Sequence, residues 1–256
     1  MIAPLIEAEG LCKRFGGVQA VEGISLSVRA GEIFAIIGPN GAGKSTMLNL
    51  LSGVLQPDSG RLAFAGRSLV GMPSFRRARL GLARTFQKIR LFKHLSVLDN
   101  VLAGFHTQHR IPAWQYVLPG PARHRDAVRC RIAALELLSF VGLGERADDR
   151  AGALAYGQQR QLEIARALAI DPKLFLLDEP AAGLNPSEVE FLVARLVELR
   201  RRGLTMIVVE HNMDLVMTIA DRVLVMDHGQ YLFSGDSKEV QTHPGVVAAY
   251  LGGELA

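Results

Sequence analysis

The chain has little cysteine: two in 256 residues, Cys12 and Cys130, far apart and in no metal-binding or redox spacing. That argues against a disulfide scaffold and a cysteine-based metal site, and it fits a reducing cytosol where both serve as small apolar residues. No apolar run approaches the roughly 20 residues that cross a bilayer, so any task at a membrane is performed from outside the lipid. A basic leader is missing: Met1–Gly10 carries Glu7 and Glu9, and no signal peptide is expected. Internal repeats and low-complexity segments are absent as well. Lysine is scarce, 6 against 23 arginines, with a net charge of +4 and a pI of about 9.3. Between Ser59 and Leu98 there is no Asp or Glu, against nine Arg or Lys. That stretch reads either as solvated surface or as a face for an acidic partner or anionic headgroups.

What is present is a chain of 49% hydrophobic residues, enough for a large core in one large domain or two lobes. It is organised around the apolar run Ile33–Ile37 and the loop that follows, Gly38-Pro39-Asn40-Gly41-Ala42-Gly43-Lys44-Ser45-Thr46. The spacing Gly38-x-x-x-x-Gly43-Lys44-Ser45 is that of a phosphate-binding loop. Its glycines let the backbone turn and approach an anion without a Cβ in the way. Successive N–H groups then form a nest at the positive end of the following helix. Lys44 adds a full charge for the β- and γ-phosphates, and Ser45 a hydroxyl for Mg²⁺. Binding of a nucleoside triphosphate follows. A guanine nucleotide is disfavoured, because no lysine is followed by x-Asp and Asn-Lys-x-Asp is therefore missing.

Around this loop the patterns alternate. Strands are expected over Leu5–Cys12 and Ile24–Val28, separated by a turn at Lys13–Gly17, and again at Leu62–Phe64. Lys44–Ser52 is helical and ends at Gly53. Leu95 to about Leu143 is helical but interrupted, with a break expected across His106–Arg131, where Pro112, Pro119, Gly120 and Pro121 fall. His106 and His109 have no nearby carboxylate or cysteine and are expected on a polar surface; Trp114 and Tyr116 are expected to pack. Gln158–Ala169 is an amphipathic helix, Leu174–Leu177 a buried strand, Pro186–Arg202 a helix with proline in its first turn, and Thr205–Val209 a strand. A short helix at Met213–Ala220, a hairpin around His228-Gly229 and a last helix from Gly245 close the chain. The fold class is α/β, a mostly parallel sheet covered on both faces, with the first strands forming an antiparallel edge.

Asp178 and Glu179 end an apolar strand, where a phosphate-loop protein places its second carboxylate. Asp178 suits Mg²⁺ and Glu179 the role of general base toward water. His211 also ends a strand and can hold an attacking water in line.

In this order the phosphate loop, Gln87, Leu154-Ala155-Tyr156-Gly157-Gln158, Leu174–Pro180 and His211 resemble the ATP-binding subunit of an ABC transporter over nearly the whole chain. The resemblance implies one nucleotide-binding domain, residues 1–256. It has a phosphate-loop ATPase core, a helical subdomain at about 90–170 and a short C-terminal helix at about 236–256. It implies ATP and Mg²⁺ as ligands, with Ser45, Gln87 and Asp178 at the metal. It implies that Phe15 stacks on adenine and that Gln87 senses the metal and moves with the membrane partner. Leu154–Gln158 corresponds to the signature motif, which grips the γ-phosphate held by an opposite subunit. Gly183-Leu184-Asn185 corresponds to the loop that crosses between subunits.

Two departures stand out: Ala155 and Tyr156 replace the usual serine and first glycine, and Asn185 stands where many relatives have Asp. Finer similarity to the branched-chain amino-acid importers lies in Leu154–Arg160, Glu179–Pro186, Arg84–Gln87 and Ala249–Gly252. It implies a second, related ATPase, permease chains, a periplasmic binding protein reached through them, and a peripheral place on the cytoplasmic face of the inner membrane. Urea, amides or a lipid are the other cargoes considered. A nucleic-acid ATPase is disfavoured, since no long coiled-coil insertion and no aromatic–basic strand platform accompanies the high pI.

Overall fold

The computed structural model describes residues 3–105 and 121–251. Two sheets carry the fold. The larger contains β3 (Ile33–Ile37), β6 (Leu82–Arg84), β7 (Leu174–Asp178), β8 (Thr205–Val209), β9 (Arg222–Asp227) and β10 (Gln230–Gly235), in the order β10-β9-β3-β8-β7-β6. All its pairings are parallel except β9–β10. β1 (Ile6–Phe15), β2 (Val18–Val28), β4 (Ser59–Phe64) and β5 (Arg67–Ser68) form a separate antiparallel sheet, ordered β2-β1-β4-β5. The expected antiparallel edge is thus a sheet of its own.

The period of two in the central strands sorts their side chains between cores. Phe175 and Leu177 of β7 and Met206 and Val208 of β8 face one cluster with the helices. Leu174, Leu176, Ile207 and Val209 face a second cluster, shared with the antiparallel sheet and with α1 (Lys44–Ser52). Ala35 and Ile37 of β3 face a third. Every residue of β3, β7 and β8 is buried, as strands covered on both faces require.

The helical region comprises α3 (Val97–Gly104), α4 (Pro121–Phe140) and α5 (Tyr156–Leu168). α4 begins inside the stretch expected to be a break; its proline stands at the first position, where no N–H is needed. His106, His109, Pro112, Trp114, Tyr116, Pro119 and Gly120 lie outside the described residues. α6 (Pro186–Arg201) and α7 (Met213–Ile219) fall where the periodicity places them. At the C-terminus two short helices, α8 (Ser237–Thr242) and α9 (Pro244–Leu251), replace the single helix expected, and residues 252–256 lie outside the description.

β1 runs on through Lys13–Phe15, and only Gly16-Gly17 turns. α2 (Ser74–Arg79) and β6 have no counterpart in the sequence reading, because neither is long enough to show a period. Part of the acid-free stretch is interior. Arg77 is fully buried and donates to the carbonyls of Leu50, Leu51, Leu69 and Met72 at 2.7–2.9 Å. It satisfies carbonyls left open at the end of α1 and places a cation at the negative end of that helix. Burial brings its pKa down to about 10.

Candidate nucleotide site

β3 runs directly into the glycine loop, and the loop into α1. Two of its glycines are dictated by neighbours. A Cβ at Gly38 would lie 2.0 Å from Met226 O, and one at Gly43 2.2 Å from Ala20 O. Both also have positive φ, 149° and 93°. Sheet and hairpin thus press the loop into shape from behind, and its open side lines a cavity of about 430 Å³. Asn40–Thr46, Gln87, Glu179, His228 and Val18–Ala20 form the walls.

Lys44 is buried, and its Nζ donates to Gly38 O (2.7 Å) and Pro39 O (2.9 Å). Burial pulls its pKa below the usual lysine range, and Glu179 pulls it partly back. Two carbonyl dipoles are weak compensation for a desolvated ammonium, so an arriving phosphate has a strong electrostatic claim on it. Ser45 is exposed beside it.

Across the cavity, Gln87 Nε2 donates to Glu179 Oε2 at 2.8 Å. Glu179 has φ 45°, a left-handed conformation uncommon for such a residue, and its N–H is fixed on Val209 O (2.9 Å). The next turn is held by Glu210, fully buried, whose carboxylate accepts from the N–H groups of Ala181 (2.8 Å) and His211 (3.1 Å).

Asp178 stands behind Glu179, outside the cavity wall. Its Oδ2 accepts from Arg84 at 2.8 Å, and both side chains are about nine-tenths buried. The same guanidinium donates to Asn49 Oδ1 and Ser52 Oγ on α1, each at 2.7 Å. Burial lowers the Arg84 pKa, against the opposing effect of Asp178. One arginine therefore ties the phosphate-loop helix, the strand-end carboxylate and the root of the Gln87 loop together.

A second buried arginine holds that loop from the other side. Arg160 of α5 pairs with Glu163 (2.9 Å) and donates to the carbonyls of Phe86 (2.8 Å) and Gln87 (3.0 Å). Burial raises the Glu163 pKa more than Arg160 lowers it.

The remaining expected site residues are spread around this centre. Phe15, 47% exposed, is paired in register with Val18, which lines the cavity. His211 is exposed at the end of β8 and is not part of the cavity wall. Ala155 and Tyr156 open α5 at the surface, whereas Gly157 and Leu154 are buried. Gly157 lies under Glu188 of its own chain. Gln158 Oε1 accepts from Ala155 N (3.2 Å) and from Arg146 (2.8 Å). Gly183-Leu184-Asn185 leads into α6, with Asn185 as its N-cap. His228, Glu210, Arg84 and Arg160 were not found from the sequence. Only His228 carried a local sign, its place at a hairpin turn.

The α/β core and the loop-lined cavity, with a carboxylate and an amide opposite the lysine, define a phosphate-loop ATPase. The sequence profile of the ABC transporter family matches residues 21–182, and the chain belongs to that family. It is similar to the high-affinity branched-chain amino acid transport ATP-binding protein LivG of Salmonella typhimurium, 43% identical over 98% of this chain and 99% of that protein. BraF of Pseudomonas aeruginosa, described in the same terms, is 41% identical over the same shares. Among solved structures, the ADP conformation of MJ1267, an ATP-binding cassette of an ABC transporter, superposes with a TM-score of 0.84. It is 33% identical, covering 97% of this chain and 99% of that one. A dimeric cassette, MJ0796, superposes at 0.78 with 26% identity over 91% and 98%. The chain is accordingly the ATP-binding, ATP-hydrolysing subunit of an ABC transport system.

Proposed function

We propose that this subunit powers uptake of branched-chain or closely related amino acids through separate permease chains, paired with a second ATPase, like or unlike itself. Near-complete coverage at 41–43% identity to LivG and BraF is the observation that carries the cargo. A periplasmic binding protein would deliver the cargo to the permease. The chain would sit peripherally on the cytoplasmic face of the inner membrane; among the described residues no helix is long and apolar enough to cross it. The proposed unit is one domain, residues 1–256, with a helical subdomain at about 90–170.

In this reading Lys44 and the N–H groups of Gly38 and Asn40–Thr46 hold the phosphates, and Phe15 stacks on the base. The Ser45 hydroxyl and Gln87 carbonyl are hard oxygen donors that suit Mg²⁺, and Asp178, paired with Arg84 behind the cavity wall, would hold the ion through its waters. When bound, that ion would neutralise charge on the β- and γ-phosphates. Glu179, aimed by Gln87, takes the proton of the attacking water, and His211 holds that water in line. The first turn of α5, Leu154–Gln158, serves nucleotide held by the opposite subunit, and Gly183–Asn185 crosses between them. The Gln87 loop, gripped by Arg84 and Arg160, carries the change toward the permease.

The test is Glu179→Gln. ATP binding should persist and the ATP-bound pair should accumulate, while turnover falls by at least about a hundredfold. Unchanged turnover removes Glu179 from its role. Uptake of radiolabelled leucine by the complex purified with its membrane chains tests the cargo; transport of urea, amides or lipid in its place would replace it.

A further inference from the structure

The two motifs in which this chain departs from the common pattern meet in space. Tyr156, the residue in place of the first signature glycine, lays its ring edge on Gly183 of the crossing loop. A Cβ at Gly183 would stand 2.9 Å from Tyr156 Cε1, 3.5 Å from Cζ and 3.6 Å from Cδ1. Gly183 also has φ 76°, so both the ring and the backbone bar a side chain there.

One turn further on, Glu188 completes the contact. Its Oε2 accepts from Asn185 N, its N–H donates to Asn185 Oδ1, both at 3.0 Å, and its Oε1 occupies the space where a Cβ on Gly157 would stand. The start of α5 and the start of α6 therefore interlock through two pairs, Tyr156–Gly183 and Gly157–Glu188. The loop between Glu179 and α6 is tied at both ends. Ala182 N donates to Glu179 O (3.2 Å) and Leu184 N to Ala181 O (3.1 Å).

From this geometry we infer that Tyr156 is a positioning residue: its ring holds Gly183-Leu184-Asn185 in the shape that a second subunit meets. A glycine at position 156 would leave Gly183, the most permissive residue of the loop, uncovered on that side. The loop would then have to be ordered at the moment of association, which weakens it. Ala155 offers no hydroxyl to cap α5; Gln158 Oε1 accepts from Ala155 N instead (3.2 Å), and the ring of Tyr156 adds the contact to the crossing loop. The packing surface of the ring does this work; the phenolic oxygen is not needed for it.

The inference rests on the proposal that ATP brings two subunits together, and the experiment separates the two. Glu179→Gln protein is taken as the parent, and its association, with itself and with the second ATPase of its complex, is followed by sedimentation velocity with and without Mg²⁺ and ATP. Binding of a fluorescent ATP analogue to the single chain is measured in parallel. Adding Tyr156→Ala should weaken ATP-driven association about tenfold and leave nucleotide binding by the single chain within about twofold. Tyr156→Phe should match the parent. Gly183→Ala should weaken association as Tyr156→Ala does, and the double variant should be no worse than the weaker single one, because ring and glycine act as one unit. Tyr156 is 47% exposed and alanine favours helix, so the fold tolerates the change.

Parental association by Tyr156→Ala overturns the inference. So does Tyr156→Phe failing like Tyr156→Ala, which would assign the effect to the hydroxyl, or a parallel loss of single-chain nucleotide binding. A parent that associates under ATP neither with itself nor with the second ATPase of its complex overturns instead the reading beneath it.

Discussion

Arg84 shows how much of this site depends on single side chains set deep in the fold. Its guanidinium meets three acceptors from two elements, and Asp178 has it as a buried counter-charge at 2.8 Å. Replacing it by methionine keeps much of the volume but leaves a carboxylate in a dry place with its cation gone. Removing one member of such a pair costs about 3–5 kcal/mol, more than the pair itself contributes, because the remaining charge is uncompensated. Urea denaturation of Arg84→Met in metal-free buffer should show a loss of that size. Arg84→Lys should lose less, since charge survives while the fork that spans α1 and β7 does not. A loss below about 1 kcal/mol for Arg84→Met would mean that Asp178 finds another partner. Such residues were not legible in the sequence. Arg77 and Arg84 read as members of a basic surface, because a buried arginine looks like an exposed one until its acceptors, 5 to 94 residues away, are in place. The phosphate loop was legible for the opposite reason. Its glycines, lysine and serine act within one turn of chain, and local chemistry writes local sequence.

At the scale of elements, legibility followed length and cap chemistry. α6 announces itself in the sequence with Pro186, a proline where no N–H is required; the structure adds Asn185 as a side-chain cap and Glu188 as the return half of a capping box. Asn185→Ala removes the acceptor for Glu188 N and Ser187 Oγ. Stability should fall by about 1 kcal/mol, read as the shift of the denaturation midpoint at constant slope. Asn185→Asp should keep it, since either side chain caps. An unchanged midpoint in Asn185→Ala would show that Glu188 alone holds the helix start. β6, with three residues, and α2, with six, lacked room for any period, and both came to light only through their neighbours. Gln87 is the functional counterpart. Nothing next to it in sequence marks it, and only the family pattern pointed there. Its position beside Glu179 is created by β6 pairing with β7, and by Arg160 reaching from α5 to the loop backbone. The Tyr156–Gly183 contact belongs here too, because it joins the start of α5 to the loop before α6 through two residues that the chain keeps 27 positions apart.

For the whole molecule the decisive fact is that the central strands belong to more than one core. β7 and β8 send alternate side chains into the cluster beneath the helices and into the cluster beneath the antiparallel sheet, and β3 contributes to all three clusters. The helical region cannot lose its core without stripping a face from the sheet that carries the phosphate loop. The described parts should therefore unfold together, in one cooperative transition, even though the helices and the antiparallel sheet occupy different faces. In the proposed reading the chain's own nucleotide sits on the loop side, yet by linkage it should raise the whole transition. At a hundred times its dissociation constant ATP adds about 2.7 kcal/mol, which for a chain of this size corresponds to roughly 5–10 °C in Tm. Lys44→Ala should abolish most of that shift. Its effect without ATP should be small, because the loss of two carbonyl contacts is offset by removal of a desolvated charge. Calorimetry with and without Mg²⁺ and ATP checks both statements. Two separate transitions, only one of them moved by ATP, would show that the helical region is an independent folding unit. The shared strands would then not transmit nucleotide binding to the surface proposed to meet the permease.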